Sequence, residues 1–368
     1  MTEHDPNAGG FERVALALQG GGAIGAFQAG VFETLHEANI EVDACCGSSI
    51  GAINAAIYFG NSKSRRMDQL REFYHRVSIP GTATRDQMLG FFGASMLAGD
   101  DFRRSLAEAD QSYAMSVGLP GFFTRRLNVP WVNGSGAPEL ASIMDLAPLY
   151  QTLENLCDFE ELNRSTTHLS VVATNVATGK SHYFDNRHGR LREAMIVASG
   201  SLPPWFAAVE IDDAWFWDGS LVSAAPMHRI IETAPADVRT TIFRADLWSP
   251  DGQVPDNLTD AEIRQKNIEH GSRAAAYRET LDESQRLKSL LAYALECIEP
   301  ARRQADAELM NAAALANVKP IRIVPMDYES SQDGTHFKDG QFSPAAIQTH
   351  WAHGRQAAQA ALERLTVL

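Results

Sequence analysis

The chain has 368 residues, 45% of them hydrophobic and 21% charged, enough to bury a large core as one big α/β unit or two smaller ones. With 46 acidic against 32 basic residues the formal charge is −14, which argues against a nucleic-acid partner and gives no electrostatic pull toward an anionic membrane. The opening MTEHDPNAGG lacks the basic and apolar regions of a secretory signal, and no apolar run approaches the roughly 20 residues that cross a bilayer. The expectation is a cytoplasmic protein, at most peripheral to a membrane. The four cysteines, Cys45, Cys46, Cys157 and Cys297, form no metal-ligand or disulfide spacing and read as reduced, buried thiols.

Residues 1–10 read as a flexible terminus. Val14 to Leu18 is an apolar run ending in glycines, the pattern of a fully buried parallel strand. Phe27, Val31, Leu35 and Ala38 then share one helical face. Ile40 to Cys46 is again strand-like, followed by GSSIG and the small-residue helix AINAAIYFG. Strand, helix, strand, helix predicts a three-layer α/β/α core. Residues 80–138 loosen into Gly, Pro and aromatic residues, as in a cap or lid-like insertion. The core pattern resumes with HLSVVATNV, a helix near Leu191 to Ala198, the SLPPWF break, WFWDGS, and the strand TTIFRADLW that ends at Trp248. Residues 249–368 are predicted mainly helical and packed on the core. There Leu287, Leu290, Leu291, Ala294, Leu295 and Ile298 make an amphipathic stripe suited to packing or oligomerisation, PIRIVP is a short strand, and Ser343 with Pro344 starts a last helix.

The loop QGGGAIG admits two readings. Gly20, Gly22 and Gly25 fit the dinucleotide pattern G-x-G-x-x-G, with Asp43 about 20 residues on as the ribose ligand. Against this, the apolar run continues past Asp43 through Cys46, so Asp43 precedes the strand's end. It leads into Gly47-Ser48-Ser49-Ile50-Gly51, a G-x-S-x-G match between strand and helix, the context a nucleophile elbow requires. A serine nucleophile needs a base and an oxyanion site. The backbone amides of Gly20, Gly21 and Gly22 can supply the second, by the physics that would otherwise bind a pyrophosphate. For the base, two sets stay open: the late histidines His228, His270, His336, His350 and His353, or Asp218 at the end of the strand AWFW, where Trp215, Phe216 and Trp217 could bury it and raise its pKa.

The ordered segments LALQGGGAIGAFQAG, GSSIGAIN, ASGSLPPWF and WDGSLVSAAP, over residues 14–227, resemble the patatin-like phospholipases. The resemblance implies a patatin-like α/β fold over 11–248 with a mostly parallel sheet, a helical C-terminal extension, and lipid acyl hydrolysis without metal or cofactor. It also implies Ser49 as nucleophile, Asp218 as its base in place of a histidine, Gly20 to Gly22 as oxyanion hole, and Gly47 and Gly51 as elbow glycines. The expected partner is a lipid or acyl ester, with transient contact to a membrane surface. The chain departs from the family at three places: Ile24 stands where a Lys or Arg is common, Ser220 where Gly or Ala follows Asp-Gly, and Ala224 near a usual asparagine. These departures keep a weakly active or inactive lipid-binding scaffold as the second reading and a dinucleotide oxidoreductase as the third. Phe91, Phe92, Phe122, Phe123 and Trp131 are candidate acyl-chain contacts, or loop aromatics packed on the core. Arg125 and Arg126 are candidates for a phosphate headgroup, or a solvated pair.

Overall fold

A computed structural model of the chain describes residues 12–82, 100–127, 136–222, 226–316, 319–328 and 338–366. Phe91, Phe92, Trp131, Ala224, His336 and the N-terminal ten residues lie outside them.

The elements, in order, are β1 (Arg13–Leu18), α1 (Gly25–Glu37), β2 (Ala44–Ser48), α2 (Ile50–Phe59), α3 (Arg66–Arg76), α4 (Asp100–Val117), β3 (Gly118–Leu119), β4 (Phe123–Arg125) and β5 (Met144–Asp145). They continue with α5 (Ala147–Leu156), α6 (Phe159–Arg164), β6 (His168–Asn175), β7 (Ser181–Asp185), α7 (Glu193–Ser199), β8 (Val209–Ile211), β9 (Ala214–Asp218), α8 (Pro226–Thr233) and β10 (Thr240–Ala245). Last come α9 (Leu258–Glu296), α10 (Pro300–Ala305), α11 (Ala307–Leu315), β11 (Ile321–Pro325) and α12 (Pro344–Thr366).

The main sheet runs β11-β10-β1-β2-β6-β9-β8, with β7 also paired to β6. From β11 to β6 all pairs are parallel, while β7, β8 and β9 are antiparallel. Strand alternation divides β1 between two cores. Val14, Leu16 and Leu18 face the larger core with α1 and α2, whereas Ala15 and Ala17 face Met227 and Ile230 of α8, with Tyr277 and Leu281 of α9 packed alongside. The result is the predicted three-layer α/β/α arrangement, and the region after 248 adds to it directly: β11 completes a sheet edge, and α12 covers α1. That cover explains why α1 is buried nearly all round instead of along one stripe. The two helices meet at Gly30 and Gly354, each of whose Cα lies against the other's backbone, so a side chain at either would drive them apart.

Four details differ from the sequence reading. Within 80–138, residues Asp100–Val117 form a regular helix and not irregular chain. Cys297 is exposed, unlike the three buried cysteines. Leu287 and Leu290 of the predicted stripe are 59% and 56% exposed, although Leu295 is buried. Asp43 sits at the amino end of β2, where its carboxylate accepts from Val14 N at 2.7 Å. That ties it to the edge of the sheet opposite the glycine loop, and the ribose-ligand reading falls. Among the described residues no helix is long and apolar enough to cross a membrane.

Candidate active site

The site lies where β1 and β2 end at the carboxyl edge of the sheet, the usual place for a ligand in an open α/β fold. β2 stops at Ser48 and α2 starts at Ile50, leaving Ser49 alone to turn the chain. Its φ of 54° and ψ of −125° are costly for a non-glycine residue, on the order of 1–3 kcal/mol. The flanking glycines make room: a Cβ on Gly47 would lie 2.5 Å from the Gly51 carbonyl oxygen, and one on Gly51 2.6 Å from that of Leu18. Ser199, at the end of α7, locks the turn. Its Oγ accepts from Ser49 N at 2.9 Å and donates to the Val172 carbonyl at 2.7 Å.

β6 brings Asp218 to Ser49. Ser48 pairs with Val172 on its parallel neighbour, and Asp218 pairs with the next residue, Ala173, from an antiparallel strand. Asp218 lines the cleft with Ser49, whose side chain favours its ionised form, and its carboxylate accepts from Ser220 N at 2.8 Å. The carboxylate is buried, and that burial raises its pKa to about 6 against the lowering effect of the Ser220 backbone and the Ser49 and Ser220 side chains. Phe216, on the same strand face two residues back, packs against Phe184 and His182. Among the described residues no histidine is hydrogen-bonded to Ser49. His270 reaches the same cleft but stacks on Trp248, with ring centroids 4.9 Å apart. His350 is paired with the Tyr328 hydroxyl, and His228 lies between Tyr183 and Tyr277.

Gly20, Gly21 and Gly22 line this cleft beside Ser49, and a Cβ on Gly20 would stand 2.9 Å from that of Ser49. A buried polar chain fixes the loop. The Tyr74 hydroxyl donates to Asn54, Asn54 to Gln28 and to the Gly25 carbonyl, and Gln28 to the Gln19 carbonyl. Trp248 Nε1 donates to the Gly20 carbonyl at 2.8 Å. With carbonyls on this side of the loop engaged, the segment is rigid where an oxyanion would need it rigid.

The cleft is open to solvent, about 360 Å³ in volume and lined mostly by apolar groups. Phe122 and Phe123 are part of its wall, with Phe206 ring centroids 6.4 and 5.4 Å from theirs. Both are buried, and the surface they pack into is the cleft. Arg126 is engaged elsewhere, holding the β4–β5 hairpin through Ser142 Oγ, the Met144 and Glu139 carbonyls and Asp145. Of the departures, Ile24 is fully buried, so a charge there would not sit on the surface, and Ser220 lines the cleft while its N–H holds Asp218.

A family model described as Patatin-like phospholipase matches residues 16–231, more than half of the chain. The chain belongs to the patatin-like phospholipase family. A second model, described as Patatin phospholipase, matches residues 268–368. Over 94 residues this patatin-like chain is 36% identical to Patatin-like phospholipase domain-containing protein 6 of Mus musculus, covering 25% of the chain and 7% of that protein. Over 45 residues it is 53% identical to Lysophospholipase nte1 of Aspergillus terreus, covering 12% of the chain and 3% of that protein. Each match thus spans a small part of a much longer relative. Among solved structures, VipD of Legionella pneumophila aligns over 96% of this chain and 67% of its own with a TM-score of 0.39 and 14% identity.

Sequence reasoning singled out Ser49 and Asp218 and missed the residues that hold them in place. Gln28 and Asn54 carry a usable signal, each being an amide inside an otherwise apolar helix. Ser199 carries none beyond its place in ASGSLPPWF. The C-terminal region, read as structural, contributes Lys266, His270 and Asp339 to the cleft, and Arg273 donates to the Ser220 and Leu221 carbonyls at 3.0 and 3.2 Å, bracing the turn after Asp218.

Proposed function

We propose that the protein is a serine acyl hydrolase that releases fatty acids from ester-linked lipids through a Ser49–Asp218 dyad. The observation that carries the reading is a strained serine and a buried carboxylate of raised pKa lining the same largely apolar cleft.

Asp218 takes the Ser49 proton as Oγ attacks the ester carbonyl, and the negative charge moves to the carbonyl oxygen beside the Gly20 to Gly22 amides. A lost oxyanion donor typically costs about 3 kcal/mol of barrier. Collapse breaks the ester bond, and the departing alcohol takes the proton from Asp218. Water then gives its proton to Asp218 and attacks the acyl-serine; the second collapse frees the fatty acid and returns the proton to Ser49. A pKa of about 6 suits this duty, since the carboxylate is mostly ionised at neutral pH yet more basic than an exposed aspartate. The apolar wall with Phe122 and Phe123 would take the acyl chain.

Fatty-acid release from a panel of acyl esters tests the reading. Wild type should hydrolyse them with kcat/KM rising through a midpoint near pH 6 to a plateau, and Ser49→Ala should be inactive. Equal turnover by Ser49→Ala, or none by the wild type on any ester, sinks it.

A further inference from the structure

The cleft has a polar wall that the acyl-transfer chemistry leaves unused. It comes from the C-terminal region: Lys266 and His270 stand one turn apart on α9, and Asp339 lies in the short turn before α12. Lys266 Nζ and the Asp339 carboxylate pair at 2.6 Å across the two segments, with both side chains partly exposed. Asp339 also sits directly on the glycine loop, its carbonyl occupying the space a Cβ on Gly22 would need. Gly22 is two residues from Gly20, which packs against Ser49, so the ion pair's segment is within about 15 Å of the nucleophile at ordinary backbone spacing.

Resting on the acyl-hydrolase reading, we propose that Lys266 and Asp339 form the headgroup subsite and select a zwitterionic glycerophospholipid, with the phosphate on Lys266 and the ammonium on Asp339. The charges decide between ligand types. A singly anionic group that reaches Lys266 meets the Asp339 carboxylate as a like charge, whereas a zwitterion brings a counter-ion for each partner. Nothing else on this wall favours an anion. His270 is held below the ordinary imidazole pKa by burial and then by Arg273, so it adds a neutral stacked ring at neutral pH. The chain's net charge of −14 likewise opposes anionic lipid surfaces. A phospholipid carries its phosphate and its ester carbonyls in one molecule, and Lys266, Asp339 and Ser49 line one cleft.

Two measurements on the full chain test the subsite. In detergent micelles containing dioleoyl phosphatidylethanolamine, dioleoyl phosphatidylglycerol or dioleoylglycerol, the first should give the highest kcat/KM. Lys266→Met and Asp339→Asn should each lower the ratio of kcat/KM on phosphatidylethanolamine to that on p-nitrophenyl butyrate about tenfold, the scale of one lost charged hydrogen bond. Equal rates on the three lipids, or unchanged ratios in both variants, overturn the proposal. So does a preference for phosphatidylglycerol that Asp339→Asn strengthens, which would mark a plain anion site. The second measurement needs no turnover: Ser49→Ala should bind the diether analogue of phosphatidylethanolamine about tenfold more tightly than Ser49→Ala with Lys266→Met. If no ester is cleaved but this difference appears, the hydrolase reading falls and the subsite stands. If esters are cleaved and the difference is missing, the subsite falls alone.

Discussion

The glycine loop with its nucleophile elbow and the long helix α9 both face the cleft, but by opposite means. Residues 18–51 approach it with backbone, packed so closely that Gly20, Gly47 and Gly51 have no space for a methyl group, and a buried amide chain holds them in place. α9 approaches with the ends of Lys266, His270 and Arg273, while its far end leaves Leu287 and Leu290 on the surface. The difference separates two tasks. On the proposed function, reaction geometry would be set by closely packed backbone, and the surroundings of the substrate by long side chains that can change without unfolding the chain.

The largest expected effect is at the base. Asp218→Asn should lower kcat on the order of 10⁴-fold, because it removes the proton acceptor. The same change should stabilise the protein. Burial raises the folded pKa to about 6, so a proton on Asp218 favours the folded state; that contribution is fully present below the unfolded value near 4 and is lost as pH rises through 6. Chemical denaturation should therefore find Asp218→Asn more stable than wild type by on the order of 2–3 kcal/mol at pH 8, with the gap closing below about pH 4. A variant less stable at pH 8 would mean the carboxylate is a structural anchor.

The elbow comes next. Gly47→Ala places a Cβ 2.5 Å from the Gly51 carbonyl and should cost about 3 kcal/mol, read as a lower denaturation midpoint. Ser49→Gly tests the strain itself: it should unfold about 1 kcal/mol harder than Ser49→Ala, because glycine accepts a φ of 54° without the Cβ clash. Equal stability of the two would remove strain from the account. The smallest effect belongs to the other region. Leu287→Gln with Leu290→Gln should change stability by less than about 0.5 kcal/mol per site, as exposed substitutions do. A loss of several kcal/mol that deepens with protein concentration would show that the stripe is covered by a second copy.

The elbow was legible in the sequence because its determinants are local: glycines at fixed offsets, a strand before and a helix after. Asp218 was legible only as one of several candidate bases, since its pairing with Ser49 depends on an antiparallel strand joining β6 beside β2, a contact that no short segment encodes. Asp43 was rightly discounted on its place in the apolar run. Its spacing suited a ribose, but the strand begins after it and its carboxylate caps β1. The stripe on α9 was periodic as read, yet periodicity says which residues share a face and not whether anything covers it. Lys266 and Asp339 carry no local signal, for they meet each other and the cleft only after more than 70 residues of intervening chain are folded.

The central claim is that Ser49 is the nucleophile of an acyl-enzyme. Treating the protein with a long-chain fluorophosphonate and locating the adduct by peptide mass tests it most directly. The account predicts stoichiometric labelling of Ser49, slowed in Asp218→Asn and faster at pH 8 than at pH 5. An adduct on another residue, or a wild type that stays unlabelled at pH 8, would contradict it.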